Sequence, residues 1–265
     1  MKTNIKELNN KGYVNFVYPQ ELRKAVDETI KSWVLFCNLS NDTKLSLPYS
    51  NNADGVGYEL KDGLGNKADK KENFDVAMSG SKWLEKHANT INNPIAFDFI
   101  DNATKLVQYL KPTVLEFARE SEKFFDINEF ADEVDKSDDA YFIRFIHYFG
   151  DRMVSEETAS AHTDQSAFTL HLFESAKGLQ CLDYNKHWQD MPVSSGETVI
   201  IPSMQMQLRT DGKIKALCHR VIANDETAVV GRYSAVCFVQ LKNTPKYDKA
   251  QHGRLQEKNL VLIMI

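Results

Sequence analysis

Cysteine is scarce in this chain: Cys37, Cys181, Cys218 and Cys237 are the four in 265 residues, and no two fall at C-x-x-C spacing. That distribution excludes a disulfide-framed scaffold and a zinc knuckle, and it fits reduced thiols serving as small core hydrophobes. Long apolar runs are lacking too. No stretch approaches the roughly 20 apolar residues of a membrane span, and residues 1–10 are polar, without an apolar secretory segment. The expectation is a cytoplasmic chain with no membrane partner. Positive charge is neither in excess nor clustered, since the formal net charge is −5 and the lysines and arginines are scattered. Without a concentrated basic field nothing holds a phosphate backbone, so nucleic acid is not an expected partner. Lys242, Lys246, Lys249 and Lys258 come closest to a patch, but Asp248 and Glu257 interrupt them, as in a solvated tail. No internal repeat or low-complexity tract is visible.

What is present is a hydrophobic content of 42%, enough for a sizeable core. In the first half, Leu22, Val26, Ile30, Trp33 and Val34 recur at helical spacing behind Pro19, a helix-start residue. A second helical stretch runs over 94–125, where Phe99, Ala103, Leu106 and Leu110 form one apolar stripe. Pro112 lacks the amide hydrogen a helix needs, so two helices or one bent helix are expected there. Between the helical stretches, residues 51–71 read as a polar, glycine-bearing loop, and its Tyr58 and Glu59 are candidates for a substrate rim. The apolar run 260–265 is too short to span a bilayer and should pack on the body of the protein or on a second copy.

From Tyr141 the pattern changes to short strand-like runs at 141–148, 166–173, 178–183, 197–201, 213–222 and 232–240, punctuated by turn residues. Phe168, Leu170 and Leu172 alternate with Thr169 and His171, the two-residue period of a strand with one buried face. The expected organisation is a mainly helical region, 1–135, packed on a β-core, 136–265, in one unit. The core should be a barrel or two-sheet jelly roll.

Residues two apart on a strand point to one side, so His162 and Asp164 in Ala161-His162-Thr163-Asp164 can aim an imidazole and a carboxylate at one point. A lone His-x-Asp is weak evidence, expected by chance in roughly one of every two or three chains of this size. The weight comes from His219 and then Arg232-Tyr233-Ser234 downstream. Two histidines and a carboxylate occupy one face of an octahedral metal and leave three positions open, an arrangement suited to iron(II) and oxygen chemistry. A closed zinc site would use four ligands, with thiolates among them. Arg232 and Ser234 also stand two apart, offering a guanidinium fork and a hydroxyl to a carboxylate. The other histidines, His87, His147, His171, His187 and His252, read as structural. Gln165 beside Asp164 either faces substrate or caps a strand.

The set His162-Thr163-Asp164, Gly178-Leu179-Gln180, Trp188, Asp211-Gly212, His219-Arg220-Val221 and Arg232-Tyr233-Ser234 resembles the iron(II) and 2-oxoglutarate-dependent oxygenases. The likeness is to the branch that includes isopenicillin N synthase. Residues 69–75, from Asp69 to Asp75, are similar to the Asp-x-Lys-Glu-x-Phe segment of that branch. The resemblance implies a double-stranded β-helix, or distorted jelly roll, with flanking helices. It implies iron(II) on His162, Asp164 and His219, and 2-oxoglutarate held by Arg232, Ser234 and Tyr148, with O2 as oxidant. Tyr148 sits in a segment that departs from the branch's Asn-Tyr-Tyr-Pro pattern. The activity implied is hydroxylation, desaturation or cyclisation of a small-molecule substrate. Chlorination is disfavoured, because relatives that halogenate lack the carboxylate kept here as Asp164. Two alternatives stand beside it: an oxidase of the same fold that uses no 2-oxoglutarate, and a non-catalytic metal or small-molecule binding module.

Overall fold

The computed structural model describes residues 5–49, 55–62, 70–183, 185–191 and 197–245. Along the chain run α1 (Glu7–Lys11), β1 (Val14–Val17), α2 (Gln20–Cys37), α3 (Asn41–Leu45), β2 (Gly57–Asp62), β3 (Lys70–Ala77), α4 (Ser81–Ile91), α5 (Pro94–Phe125) and α6 (Phe130–Lys136). The second half follows with β4 (Tyr141–Tyr148), β5 (Glu157–His162), β6 (Phe168–Glu174), β7 (Leu179–Leu182), β8 (Trp188–Asp190), β9 (Glu197–Pro202), α7 (Met204–Arg209), β10 (His219–Ile222), α8 (Thr227–Val230) and β11 (Arg232–Val239).

The strands form two antiparallel sheets, one ordered β1-β9-β6-β11-β4-β3-β2 and the other β5-β10-β7-β8. This is the mainly β, jelly-roll architecture expected, with helices outside. Side chains on β4 alternate as a two-faced strand must. Tyr141, Ile143 and Phe145 join the cluster beneath the helices, while Ile146 and Tyr148 belong to a second cluster with Leu179, Val199 and Val221. The helical side is dominated by aromatic contacts around Phe99 of α5, whose ring centroid lies 5.0 Å from Phe36, 5.1 Å from Trp33 and Phe74, and 5.2 Å from Phe145. Offset and edge-on pairs of this kind contribute beyond their buried area.

Several expectations change at this level. The first 135 residues supply three strands, β1, β2 and β3, to the large sheet, so sheet and helical layers interpenetrate in sequence. Residues 57–62 and 70–71, read as loop, pair strand to strand, with Gly57 opposite Asp75 and Lys61 opposite Lys71. The polar composition of Gly57–Asp62 reflects its position at the edge of the sheet, where strands keep charged residues. The helix over 94–125 is continuous, with Pro112 inside it rather than dividing it. The buried stripe continues past it through Val114, Phe117 and Ala118, and that packing offsets the ~3 kcal/mol cost of an internal proline. Of the run 213–222 only His219–Ile222 is strand, and β5 arose where no strand was expected. Gly178 takes φ +138°, and a Cβ there would lie 2.4 Å from the Ile222 carbonyl oxygen, which accounts for glycine before Leu179-Gln180. Asp69, Lys246, Lys249, Lys258 and the run 260–265 lie outside the described residues.

Behind the large sheet, Glu72 of β3 is a buried carboxylate with three partners. Lys44 Nζ donates to Oε2 at 2.7 Å, Tyr58 Oη donates to the same oxygen at 2.7 Å, and His147 Nδ1 lies 2.8 Å from Oε1. Burial pushes Glu72 upward, but the His147, Lys44 and Tyr58 hydrogen bonds outweigh it and bring the carboxyl down to about 2. Its folded value lies below its unfolded one, so the stabilisation is complete above the ordinary carboxylate range and is lost as pH falls towards 2. Glu72→Gln should therefore flatten the acid limb of a stability-versus-pH curve measured by denaturant unfolding. Lys44→Met, which strands the carboxylate, should cost about 3–5 kcal/mol at neutral pH in the same assay.

Candidate metal centre

The centre is built where the small sheet's pairing ends. His162 is the last residue of β5 and stands opposite His219, the first residue of β10. The two rings are thereby brought to 4.4 Å between centroids. Asp164 lies beyond the strand, so the alternation argument does not position it. The chain has turned, with the Asp164 carbonyl accepting from Met204 N at 2.9 Å, and Thr169 Oγ1 of β6 donates to Asp164 Oδ2 at 2.6 Å. The carboxylate ends 3.5 Å from His162 Nε2 and 3.8 Å from His219 Nε2. One donor atom from each of the three residues falls within 4.8 Å of the others.

Both imidazoles are oriented for ligation through Nε2. His162 Nδ1 lies 2.6 Å from the Ser160 carbonyl oxygen, and His219 Nδ1 lies 3.1 Å from that of Leu217. A carbonyl can only accept, so each Nδ1 carries a hydrogen and Nε2 is the nitrogen left to ligate. Burial pushes His219 down to about 4, against the pull of Asp164, which keeps it neutral near neutral pH. Burial also pushes Asp164 upward, but His219, His162 and the Thr169 hydroxyl hold it well below the usual carboxylate range. Burial pushes His162 downward, but the Asp164 hydrogen bond and charge outweigh it and raise it. Two imidazoles and one carboxylate make a donor set that fits iron(II).

His162 and Asp164 face a cavity of about 670 Å³ whose wall also includes Tyr148, Lys71, Arg144, Phe142 and Phe238. Gln165 is exposed and lines this cavity. Arg144 is held in the wall by Asp75, donating from Nε at 2.8 Å and from Nη2 at 2.6 Å. The rim assignment for Tyr58 and Glu59 is corrected: neither lines the cavity. Tyr58 is buried against Phe36 and bonded to Glu72, while Glu59 accepts from Asn73 at 3.3 Å and pairs with Lys61 at 3.4 Å.

Arg232 and Ser234 open β11, which pairs with both β4 and β6, and Arg232 stands opposite Tyr148. The Arg232 guanidinium lies 5.9 Å from the Tyr148 ring centroid. The structure thus brings Arg232, Ser234 and Tyr148 to neighbouring strands of the large sheet, β11 and β4. The seat they form accepts a carboxylate, because it holds one from the protein itself. Glu174, the last residue of β6, forms a buried ion pair with Arg232 and accepts from Ser234 Oγ at 3.3 Å. His171 Nδ1 lies 2.9 Å from Glu174 Oε1, and the His171 ring is 6.0 Å from that of His219. His171 and Glu174 were missed by sequence reasoning. The one signal available was two ionisable residues inside a strand with an otherwise buried face.

An open two-histidine, one-carboxylate face beside a carboxylate seat, carried on a jelly roll, has the donor chemistry of a mononuclear non-haem iron site. Comparison with known proteins narrows the class. Residues 138–241 match the 2OG-Fe(II) oxygenase superfamily. A 2-oxoglutarate-dependent dioxygenase of Didymella fabae is 39% identical over 31% of this chain, and the matched segment spans 24% of that relative's length. Among solved structures, a putative oxygenase from Shewanella oneidensis superposes with TM-score 0.74 at 19% identity, covering 97% of this chain and 94% of that one. The dioxygenase for auxin oxidation 1 of Arabidopsis thaliana, in a binary complex with 2-oxoglutarate, superposes with TM-score 0.72 at 13% identity, covering 92% and 91% of the two chains. The likeness to the 2OG-Fe(II) oxygenase superfamily is thus carried by residues 138–241, the stretch that holds His162, Asp164, His219, Arg232 and Ser234.

Thr169 orients the carboxylate of Asp164, a candidate ligand. Thr169→Val should weaken iron(II) binding by about 10–100-fold, whereas Asp164→Ala should abolish stoichiometric binding. Equilibrium dialysis of iron(II) under argon, with folding checked by circular dichroism, reads both effects.

Proposed function

We propose that this protein is an oxygenase that uses iron(II) and 2-oxoglutarate to oxidise a small molecule. The observation that carries the reading is the open His162, Asp164 and His219 face next to the Arg232 and Ser234 seat. When bound, the metal and 2-oxoglutarate supply oxygen activation coupled to decarboxylation of the co-substrate to succinate and carbon dioxide. The protein's part is to hold and orient. His162, Asp164 and His219 fix the metal, with their Nδ1 hydrogens and the Thr169 hydroxyl locking the donor atoms. Arg232 and Ser234 bind the remote carboxylate of the co-substrate, and Tyr148 closes the seat on the cavity side.

Phe142, Ile146 and Phe238 give the cavity apolar wall, and Lys71, Arg144 and Gln165 give it polar groups. This lining suits a small molecule with both an apolar body and hydrogen-bonding substituents. Retention of Asp164 as the third ligand favours hydroxylation, desaturation or cyclisation over halogenation.

A second reading, an oxidase of the same fold that uses no 2-oxoglutarate, draws on one observation: the seat already contains the Glu174 carboxylate. Anaerobic addition of iron(II) and then 2-oxoglutarate separates the two. The leading reading expects a weak visible charge-transfer band, weakened in Arg232→Ala, and succinate once oxygen is admitted. Iron binding with neither band nor succinate would favour the oxidase. Failure to bind iron would favour a non-catalytic binding module.

A further inference from the structure

The resident carboxylate in the co-substrate seat has a local cause. β6 pairs with β11 in the order Glu174 opposite Ser234 and Phe173 opposite Ala235, and then slips so that His171, not Leu172, stands opposite Val236. In a regular strand residues three apart point to opposite faces. The bulge absorbs one residue and turns His171 and Glu174 to the same side, as bulges do when they re-aim a side chain. Their side chains are 6% and 3% exposed, and that of Arg232 is 3%, so the group lies out of water.

Within it the contacts converge on one carboxylate. Glu174 pairs with Arg232, accepts from Ser234 Oγ at 3.3 Å and meets His171 Nδ1 at 2.9 Å. Arg232 Nε donates to the Ala176 carbonyl at 3.1 Å, which aims the guanidinium, while its Nη1 has no hydrogen-bond partner among the described residues. A buried guanidinium needs a counter-charge, and Glu174 supplies it. The wall of the metal-facing cavity passes through Ile146 and Tyr148 and does not include Arg232, Ser234 or Glu174. The seat is shut off from that cavity while Glu174 sits in it.

We propose that Glu174 is an internal competitor for the carboxylate seat: it stands in for the remote carboxylate of 2-oxoglutarate and must leave before the co-substrate binds. The inference rests on the reading that 2-oxoglutarate is the co-substrate. The exchange replaces one carboxylate by another, so Arg232 keeps a counter-charge throughout. The binding-competent state is the fraction of molecules with Glu174 withdrawn, and apparent affinity falls in proportion to that fraction. Glu174→Gln keeps the shape but cannot neutralise Arg232, so the incoming carboxylate gains the ion pair that Glu174 held. His171→Leu removes one contact to Glu174 while leaving the Arg232 pair intact, and serves as a milder variant should Glu174→Gln fold poorly.

The test is calorimetric titration of 2-oxoglutarate, under argon, into the iron(II)-loaded protein and both variants, with thermal unfolding confirming that each is folded. The expected result is binding about 10-fold tighter or more in Glu174→Gln, and tightening in the same direction but smaller in His171→Leu. Measurable binding to the wild type with unchanged or weaker affinity in the folded variants would overturn the competition and leave the 2-oxoglutarate reading intact. No binding to any of the three, with iron bound, would overturn both. Wild type that fails to bind alongside a variant that binds would support the competition in its strongest form.

Discussion

The register that places His162 opposite His219 is the constraint on which the site depends. It joins two residues far apart in the chain across one antiparallel pair, and it does so at the last rung of the ladder, where the strand is free to turn. That turn delivers Asp164 between the rings, and the carboxylate then receives Thr169 from the opposite sheet. A slip of one residue would send one imidazole to the other face of the small sheet and dissolve the donor set. The pairing is supported from the other side by β7, where Cys181 stands opposite His219.

The large sheet performs the complementary task. Its two faces have different chemistry because side chains alternate, so one run, Tyr141 to Tyr148, feeds aromatic bulk to the helices and lines the reaction cavity at the same time. Polar residues follow the same division. Arg144 lines the reaction cavity and is held there by Asp75, while Glu72, Lys44 and His147 make a buried network on the helical side. The His147 ring stacks on Tyr233 at 4.2 Å, next in the chain to Arg232, so that network and the carboxylate seat flank the same end of β11. Rigidity at this end matters because a fork-shaped guanidinium binds well only when its orientation is fixed.

Much of this was legible beforehand, and the failures have identifiable physical reasons. The helix over 94–125 is visible because a buried stripe at 3.6-residue spacing is a strong signal; whether Pro112 divides it or leaves one helix stays open in the sequence, because packing on both sides decides that. Strand β2 is hard to read because it is the polar edge of its sheet and resembles a loop, whereas β3 is an inner strand whose charged residues Glu72 and Asp75 are buried by partners distant in the chain. Tyr58 was placed at a rim on sequence position alone, although its hydroxyl is consumed by Glu72 within the core. His171 was set aside as structural, and no pattern in the sequence announces a bulge at Leu172.

The sequence by itself determined the ligand types, their order, and the carboxylate-binding pair Arg232 and Ser234, since donor chemistry is a property of residue identity and short spacing. Tertiary structure alone decided that His162 and His219 meet, that Asp164 reaches them from outside the strand, and that Glu174 enters the seat. Those outcomes follow from pairing register and from one inserted residue in β6, and both are set by contacts between segments distant in the chain.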